Sequence, residues 1–492
     1  MTELLKRLTA APSRRYLSIN VTDENYDRQL RDLAVYCKYS GVVSNITDFD
    51  EYLDNINPSI HTLSFLHILH FQIQSLQAKT KSDLPEDLLP GGRLWTRVSK
   101  FLKTFDPIQI RYAGHEWRQL VELVARAAHA VSKPRLAVKL IRDALCQLDL
   151  SFGVFTSVHL IFVKLALRSA SYTIALPILD RLLCHFPTGV NTIHHESFLC
   201  SEDDTSVAFI TDVSGLSAKL TYRDHLQYYL YSGMIYMALK KWDQALHCLS
   251  AVISSPALNS VSKIMAEAYK KWILASLLGY GKLQSLSRMI SPHVMRVYQS
   301  LAKPYISLAD TFEKGDLQKM RAEIELGQTI WRIDNNAGLV SQLFDAFDKY
   351  TVLKLGRTFS ALTMADVRQR VSASSGNSHN VEGFVASLVM SNALRATLSH
   401  LPGLESLAML RFSSAPESAV VREETVRIRL IEAGLAANTV SERIRQSNRI
   451  LELCQENLQT LAKSQKWADN TGRSSEAGGS FDIDEDLMGD GH

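Results

Sequence analysis

His194-His195-Glu196, with Cys184, His185 and Cys200 close by in the chain, is the densest gathering of metal-binding residue types in this 492-residue sequence. Imidazole and thiolate are zinc ligands, but a zinc site needs four of them at controlled, paired spacing. No such pairing occurs here, so these residues are expected to be solvated loop side chains. His61, His67 and His70 lie near one face of a predicted helix, HTLSFLHILHFQIQ, with no carboxylate beside them, and are expected to pack against neighbouring helices. Glu423-Glu424 and Asp484-Glu485-Asp486 are charge runs expected to be solvated. The chain has no phosphate-binding Gly-x-x-x-x-Gly-Lys-Ser/Thr loop, no Gly-x-Gly-x-x-Gly after a strand and no His-Glu-x-x-His. The expectation is a protein without enzymatic activity, cofactor or metal.

Six cysteines, Cys37, Cys146, Cys184, Cys200, Cys248 and Cys454, are scattered without framework spacing, as in a cytosolic or nuclear protein with reduced thiols. Cys146, Cys248 and Cys454 fall in apolar helical settings and are expected to be small core residues. The net charge of +3 is too small for a nucleic-acid-coating protein. The start, MTELLKRLTAAPSRRY, lacks the apolar run of a secretory leader. No stretch approaches the roughly 18 apolar residues of a membrane span, so no membrane partner is expected.

Most of the chain shows helical period, with 46% hydrophobic and 21% charged residues. AVSKPRLAVKLIRDALCQL, RSASYTIALPILDRLLCHF and ALKKWDQALHCLSAVISSP superpose on Ala137, Ala175 and Ala245. Each alanine is followed by an apolar stripe: Val138, Ile141, Ala144-Leu145; Leu176, Leu179, Leu182-Leu183; Leu246, Leu249, Val252-Ile253. The alanines are 38 and 70 residues apart, and Ser285 is a weaker fourth match. This predicts an N-terminal α-solenoid of tetratricopeptide-like helix pairs over residues 1–300, with an inserted loop near 187–220.

A module over 301–413 follows. Gly315 ends one helix, and Asp316 caps the next, which presents Leu317, Met320, Ile324 and Trp331. Asn335-Asn336-Ala337-Gly338 breaks it, and a further helix carries Leu339, Leu343, Phe347 and Tyr350. Over 350–413 the elements shorten: a helix in TVLKLGRTFS, a second capped by Thr363 with Asp366, a third in VEGFVASLVMSNAL, then a small β-hairpin around Pro402-Gly403. Three short helices and a hairpin predict a winged helix. Its third helix contains no Arg or Lys, so no DNA partner is expected. Residues 417–468 read as one long C-terminal helix and 469–492 as a disordered acidic tail.

Two sets of residues could engage partners. The hairpin strands, around Arg395, Ala396, Thr397 and Leu398 and around Leu407 and Met409, are expected to offer an unpaired edge to a neighbour's sheet. In the long helix Val426, Ala433, Val440, Ser447, Cys454 and Leu461 recur every seven residues, with Leu430, Ala437, Ile444, Leu451 and Leu458 between them. Such a stripe predicts lengthwise packing in a helical bundle.

PYISLADTFEKGDLQKM, DNNAGLVSQLFDAFDKYTVLKLGRTFSALTMADVRQRV and VEGFVASLVMSNALRATLSH together resemble the PCI-domain family over roughly residues 304–412. That scaffold class is shared by the proteasome lid, the signalosome and translation initiation factor three. The wording around Asn335–Val340, the chain's size and its acidic tail are most similar to the signalosome members. The resemblance implies a non-catalytic scaffold in a complex that removes Nedd8 from cullin-RING ubiquitin ligases. Its partners would be the other PCI subunits and the zinc isopeptidase pair, and it would work in nucleus and cytoplasm. The isopeptidase's His-x-His pair is missing, because none of the fifteen histidines has another two residues away. A proteasome-lid subunit, or an RNA-associated PCI protein of translation initiation or messenger export, are the alternatives.

Overall fold

The computed structural model describes residues 2–16, 22–39, 48–149 except 82, 153–187 except 182 and 184, 198–201, 206–256, 261–286, 290–375, 381–400 except 392, 408–412 and fourteen residues between 427 and 448. The architecture is mainly α, a helical solenoid followed by a winged-helix module with a three-stranded sheet. No helix of the described residues is long and apolar enough to cross a membrane.

In the solenoid many helices pack on their neighbours in the chain, and Arg93–Thr104 and Tyr172–Leu179 both pack on Pro134–Leu148. Gly114–Ala130 packs on Pro134–Leu148, which packs on Ser157–Arg168. Beyond the insertion, Ser157–Arg168 packs directly on Tyr222–Ala238, and the stack continues through Trp242–Ile253 to Lys263–Tyr280. Ala137, Ala175 and Ala245 are all fully buried, as expected of small residues at close helix contacts. Their stripes are buried in the first and third repeats. The middle helix is shorter than its pattern, Tyr172–Leu179, with Pro177 inside it and Asp180 at its end. Pro177 removes one bond within the helix, and the chain leaves the helix after Leu179, so Leu183 lies beyond it. Ser285 is not in a repeat helix either: Gly281, at φ +69°, ends Lys263–Tyr280, and residues 283–286 are irregular.

The described part of the insertion is anchored to the first helices. Arg111 donates to the carbonyls of Leu199 (2.8 Å) and Ser201 (2.9 Å), and Arg14 donates to that of Cys200 (3.2 Å). Cys200 is buried, its thiol 3.2 Å from the Asp23 carbonyl. The segment expected to be an inserted loop is therefore in part anchored, through Cys200, to Arg14 and Asp23.

The hairpin of Lys303–Lys314 and Leu317–Leu326 forms as its residues predict. Gly315 adopts φ +77°, and the Asp316 carboxylate accepts the Lys319 N–H at 3.1 Å. A separate turn, Gln328–Ile333, follows Gly327, where a Cβ would lie 2.5 Å from the Trp331 ring. TVLKLGRTFS is not a separate helix. Its first eight residues end a single 22-residue helix, Ala337–Thr358, which no glycine cap or proline interrupts. One hydrophobic core runs from Leu8 to Phe347, and a second runs from Val352 to Phe412. The long helix contributes to both.

The sheet has three strands, not the two of a simple hairpin. β1 (Ala361–Thr363), β2 (Ala396–His400) and β3 (Ala408–Phe412) lie in the order β1-β3-β2, all antiparallel. The Thr363 hydroxyl meets Asp366 at 2.6 Å and accepts its N–H at 3.2 Å, so the capping box opens Met364–Ser375 directly from β1.

By contact density the chain divides into Met1–Ser414 and Ala415–His492. In the second unit all fourteen described residues between 427 and 448 are helical. The acidic tail lies outside the described residues.

Candidate interaction surfaces

Of the residues singled out for metal chemistry, those that are described are not gathered into a site. Among the described residues no group of three or more His, Cys, Asp or Glu is placed to hold a metal ion. His194, His195, Glu196 and Cys184 lie outside the described residues. His67 is buried, and burial drives its pKa down to about 4 despite the opposing carboxylate of Glu116. His70 and His61 are lowered by burial too. These imidazoles are held neutral inside a helix stack, as packing residues. His159 is equally enclosed: its Nδ1 accepts the Thr156 N–H at 3.2 Å, and burial lowers its pKa to about 4. Of the cysteines expected in the core, Cys248 is buried and Cys146 half-buried, while Cys454 is outside the described residues.

The sheet edge can be derived bond by bond. The Phe412 N–H donates to the Ser360 carbonyl at 2.8 Å. Backbone polar groups of successive strand residues point to opposite sides. Phe412, Leu410 and Ala408 therefore bond toward β1, and Arg411 and Met409 toward β2. Thr397 opposes Arg411 and Ser399 opposes Met409, so these two β2 residues turn their N–H and C=O groups inward to β3. Ala396, Leu398 and His400 turn theirs outward, to the side of β2 where no further strand lies among the described residues. Side chains alternate across the other axis: Arg395, Thr397 and Ser399 are exposed, Ala396 is buried and Leu398 half-buried against the winged-helix core.

This corrects the expected edge in two ways. Met409 sits on the central strand, paired on both sides, and contributes no free edge. Leu407 lies outside the described residues. Thr397 is on the edge strand, but its own backbone is used within the sheet. Of the three outward-facing positions, Ala396 and Leu398 were among the expected edge residues and His400 was not; the alternation between Thr397 and its neighbours depends on a register that β1, too short to show a pattern, helps to set.

The long-helix stripe is the second surface. Leu430, Ala433, Ala437, Val440 and Ile444 are helical and exposed, Leu430 at 72% and Ile444 at 55%. Ile428, Ile431 and Leu435 are exposed as well. Val426, Ser447, Leu451, Cys454, Leu458 and Leu461 lie outside the described residues. Burying such side chains is worth about 1.5–3 kcal/mol each, and single helices gain most of their stability from covering an apolar face.

Comparison with known proteins gives these surfaces a context. A family model described as COP9 signalosome complex subunit 3, N-terminal helical repeats, matches residues 27–201 and 203–294. A protein of Emericella nidulans named COP9 signalosome complex subunit 3 is 59% identical over 496 aligned residues, which cover 100% of both chains. The chain belongs to the COP9 signalosome subunit 3 family. A Neurospora crassa protein of the same name is 26% identical over 397 residues, 79% of this chain and 78% of its own length. The family model covers the solenoid, whereas the sheet edge and the exposed stripe lie beyond it and within the span shared with the Emericella protein.

Proposed function

We propose that the chain is a non-catalytic scaffold subunit of a signalosome, the complex that removes Nedd8 from cullin-RING ubiquitin ligases through a separate zinc isopeptidase subunit. The reading rests most on the full-length similarity to a protein named as a signalosome subunit. The geometry supplies the means of assembly. The outward backbone groups of Ala396, Leu398 and His400 pair with a strand of a neighbouring PCI subunit. The stripe through Leu430, Val440 and Ile444 enters a bundle with helices of other subunits. Val426, Leu451, Cys454, Leu458 and Leu461 continue that stripe by their spacing. Cullin-RING ligases are met indirectly, through the assembled complex, in nucleus and cytoplasm.

Purification of the tagged full-length chain from its own cells, with mass spectrometry of what accompanies it, tests the reading. Signalosome PCI subunits and the isopeptidase pair are the expected companions. Recovery of proteasome-lid or initiation-factor subunits in their place would overturn it.

A further inference from the structure

The long helix Ala337–Thr358 begins on the solenoid and ends in the winged helix, with no flexible linker between the two cores. Where that helix sits on Lys263–Tyr280 therefore decides where the winged helix points. Apolar contacts hold two helices together but tolerate small slides and rotations. Hydrogen bonds between buried groups do not, because each has a fixed length and direction.

A closed ring of hydrogen bonds, buried through Lys271, Asn336 and Tyr305 and part-buried through Asp334 and Lys270, lies at the start of the long helix. Lys271, 3% exposed, donates its Nζ to Asn336 Oδ1 at 2.8 Å and pairs with Glu267 at 2.9 Å. Asn336, fully buried, donates Nδ2–H to Tyr305 Oη at 2.8 Å. Tyr305 donates its hydroxyl to Asp334 Oδ2 at 2.8 Å, and burial raises its pKa. Lys270 closes the ring, donating to both oxygens of Asp334 at 2.9 and 2.8 Å. The ring starts and ends on one solenoid helix. It passes through the hairpin helix Lys303–Lys314 and through the turn that opens the long helix. Its two cations and two carboxylates balance. Fourteen residues further on, the Tyr350 ring lies over Gly281, where an added Cβ would come within 2.6 Å of it.

We propose that this polar ring sets the angle at which the winged helix leaves the solenoid, while the surrounding apolar core supplies the stability. Asn336 is the keystone of the buried arm: its side chain links Lys271 on the solenoid helix to Tyr305 on the hairpin, while Asp334 links Lys270 to the same hydroxyl in the outer, part-buried arm. The pose is set in the same way whichever complex takes up the chain.

Spin labels attached by cysteine-independent chemistry at exposed Lys139 in the solenoid and exposed Gln369 in the winged helix measure the pose in the full-length chain. The native protein should give a single narrow distance distribution. The paired variant Lys271→Met with Asn336→Leu removes the link and strands no charge: Glu267 reaches solvent, and Tyr305 keeps Asp334. Replacing a buried polar pair by apolar residues of similar size is often neutral for stability. The expected result is a distribution at least twice as wide with an unchanged melting temperature. If the paired variant does not fold, Tyr305→Phe opens the ring by one oxygen atom and is read in the same way, with broadening expected. A distribution as narrow as native, with or without a lowered melting temperature, would overturn the proposal.

Discussion

At the scale of the residue, the decisive information is which way a backbone N–H points. Thr397 and Leu398 are adjacent, yet Thr397 donates into the sheet and Leu398 away from it. Leu398→Pro removes an outward donor and should weaken association with the neighbouring subunit while leaving the ladder to β3 intact. Leu398→Ala, which loses the same packing but keeps the donor, is its control. Thr397→Pro should act differently, breaking a bond to Arg411 and destabilising the winged helix itself. Binding measured for the Pro and Ala variants separates these effects; equal affinity for both would place the edge elsewhere. Residue types announced the strand here, because Ala-Thr-Leu-Ser-His beside a Pro-Gly turn reads as a strand. They could not announce which of its residues face outward, because that follows from how the central strand β3 pairs with β1, a strand more than thirty positions earlier in the chain.

At the scale of the element, local rules predicted local structure. The Gly315-Asp316 hairpin and the Thr363-Asp366 capping box formed where their residues indicated, since both are closed by bonds spanning three residues. Elements shaped by distant packing were less legible. The 22-residue helix read as two although it is continuous, and the division fell where it passes from one core to the other, between Phe347 and Val352. The weak repeat match at Ser285 failed because Gly281 had already ended the preceding helix. Gly281 has two constraints at once, a left-handed backbone and the Tyr350 ring against its Cα. Gly281→Ala should cost about 1–2 kcal/mol through the left-handed strain alone, and more once the ring is displaced. Denaturant titration checks it, and a variant as stable as the native chain would show that Tyr350 does not seat the helix.

At the scale of the whole molecule, the buried histidines make a prediction about acid. His67 and His159 have their pKa lowered from 6.5 to about 4, and His61, His70 and His225 are lowered in the same direction. The unfolded chain takes up these protons first, so stability is full above about pH 6.5 and is lost as pH falls toward 4. Each of the two deepest imidazoles contributes on the order of 3 kcal/mol at the acid end. Asp348 opposes them: burial raises its pKa to about 6, so the folded chain takes up that proton more readily. Histidines outnumber it, and the melting temperature should drop between pH 6.5 and 4; a flat profile would contradict their neutral burial. The central claim concerns the other end of the chain, where an apolar stripe stands exposed on a helix. A chain cut before Ser418 retains both hydrophobic cores and should fold with the same cooperativity as the full chain. Co-purification of this truncated chain with its partner subunits tests the account most directly. Loss of the partners from a folded protein is the predicted result, and their undiminished recovery would contradict it.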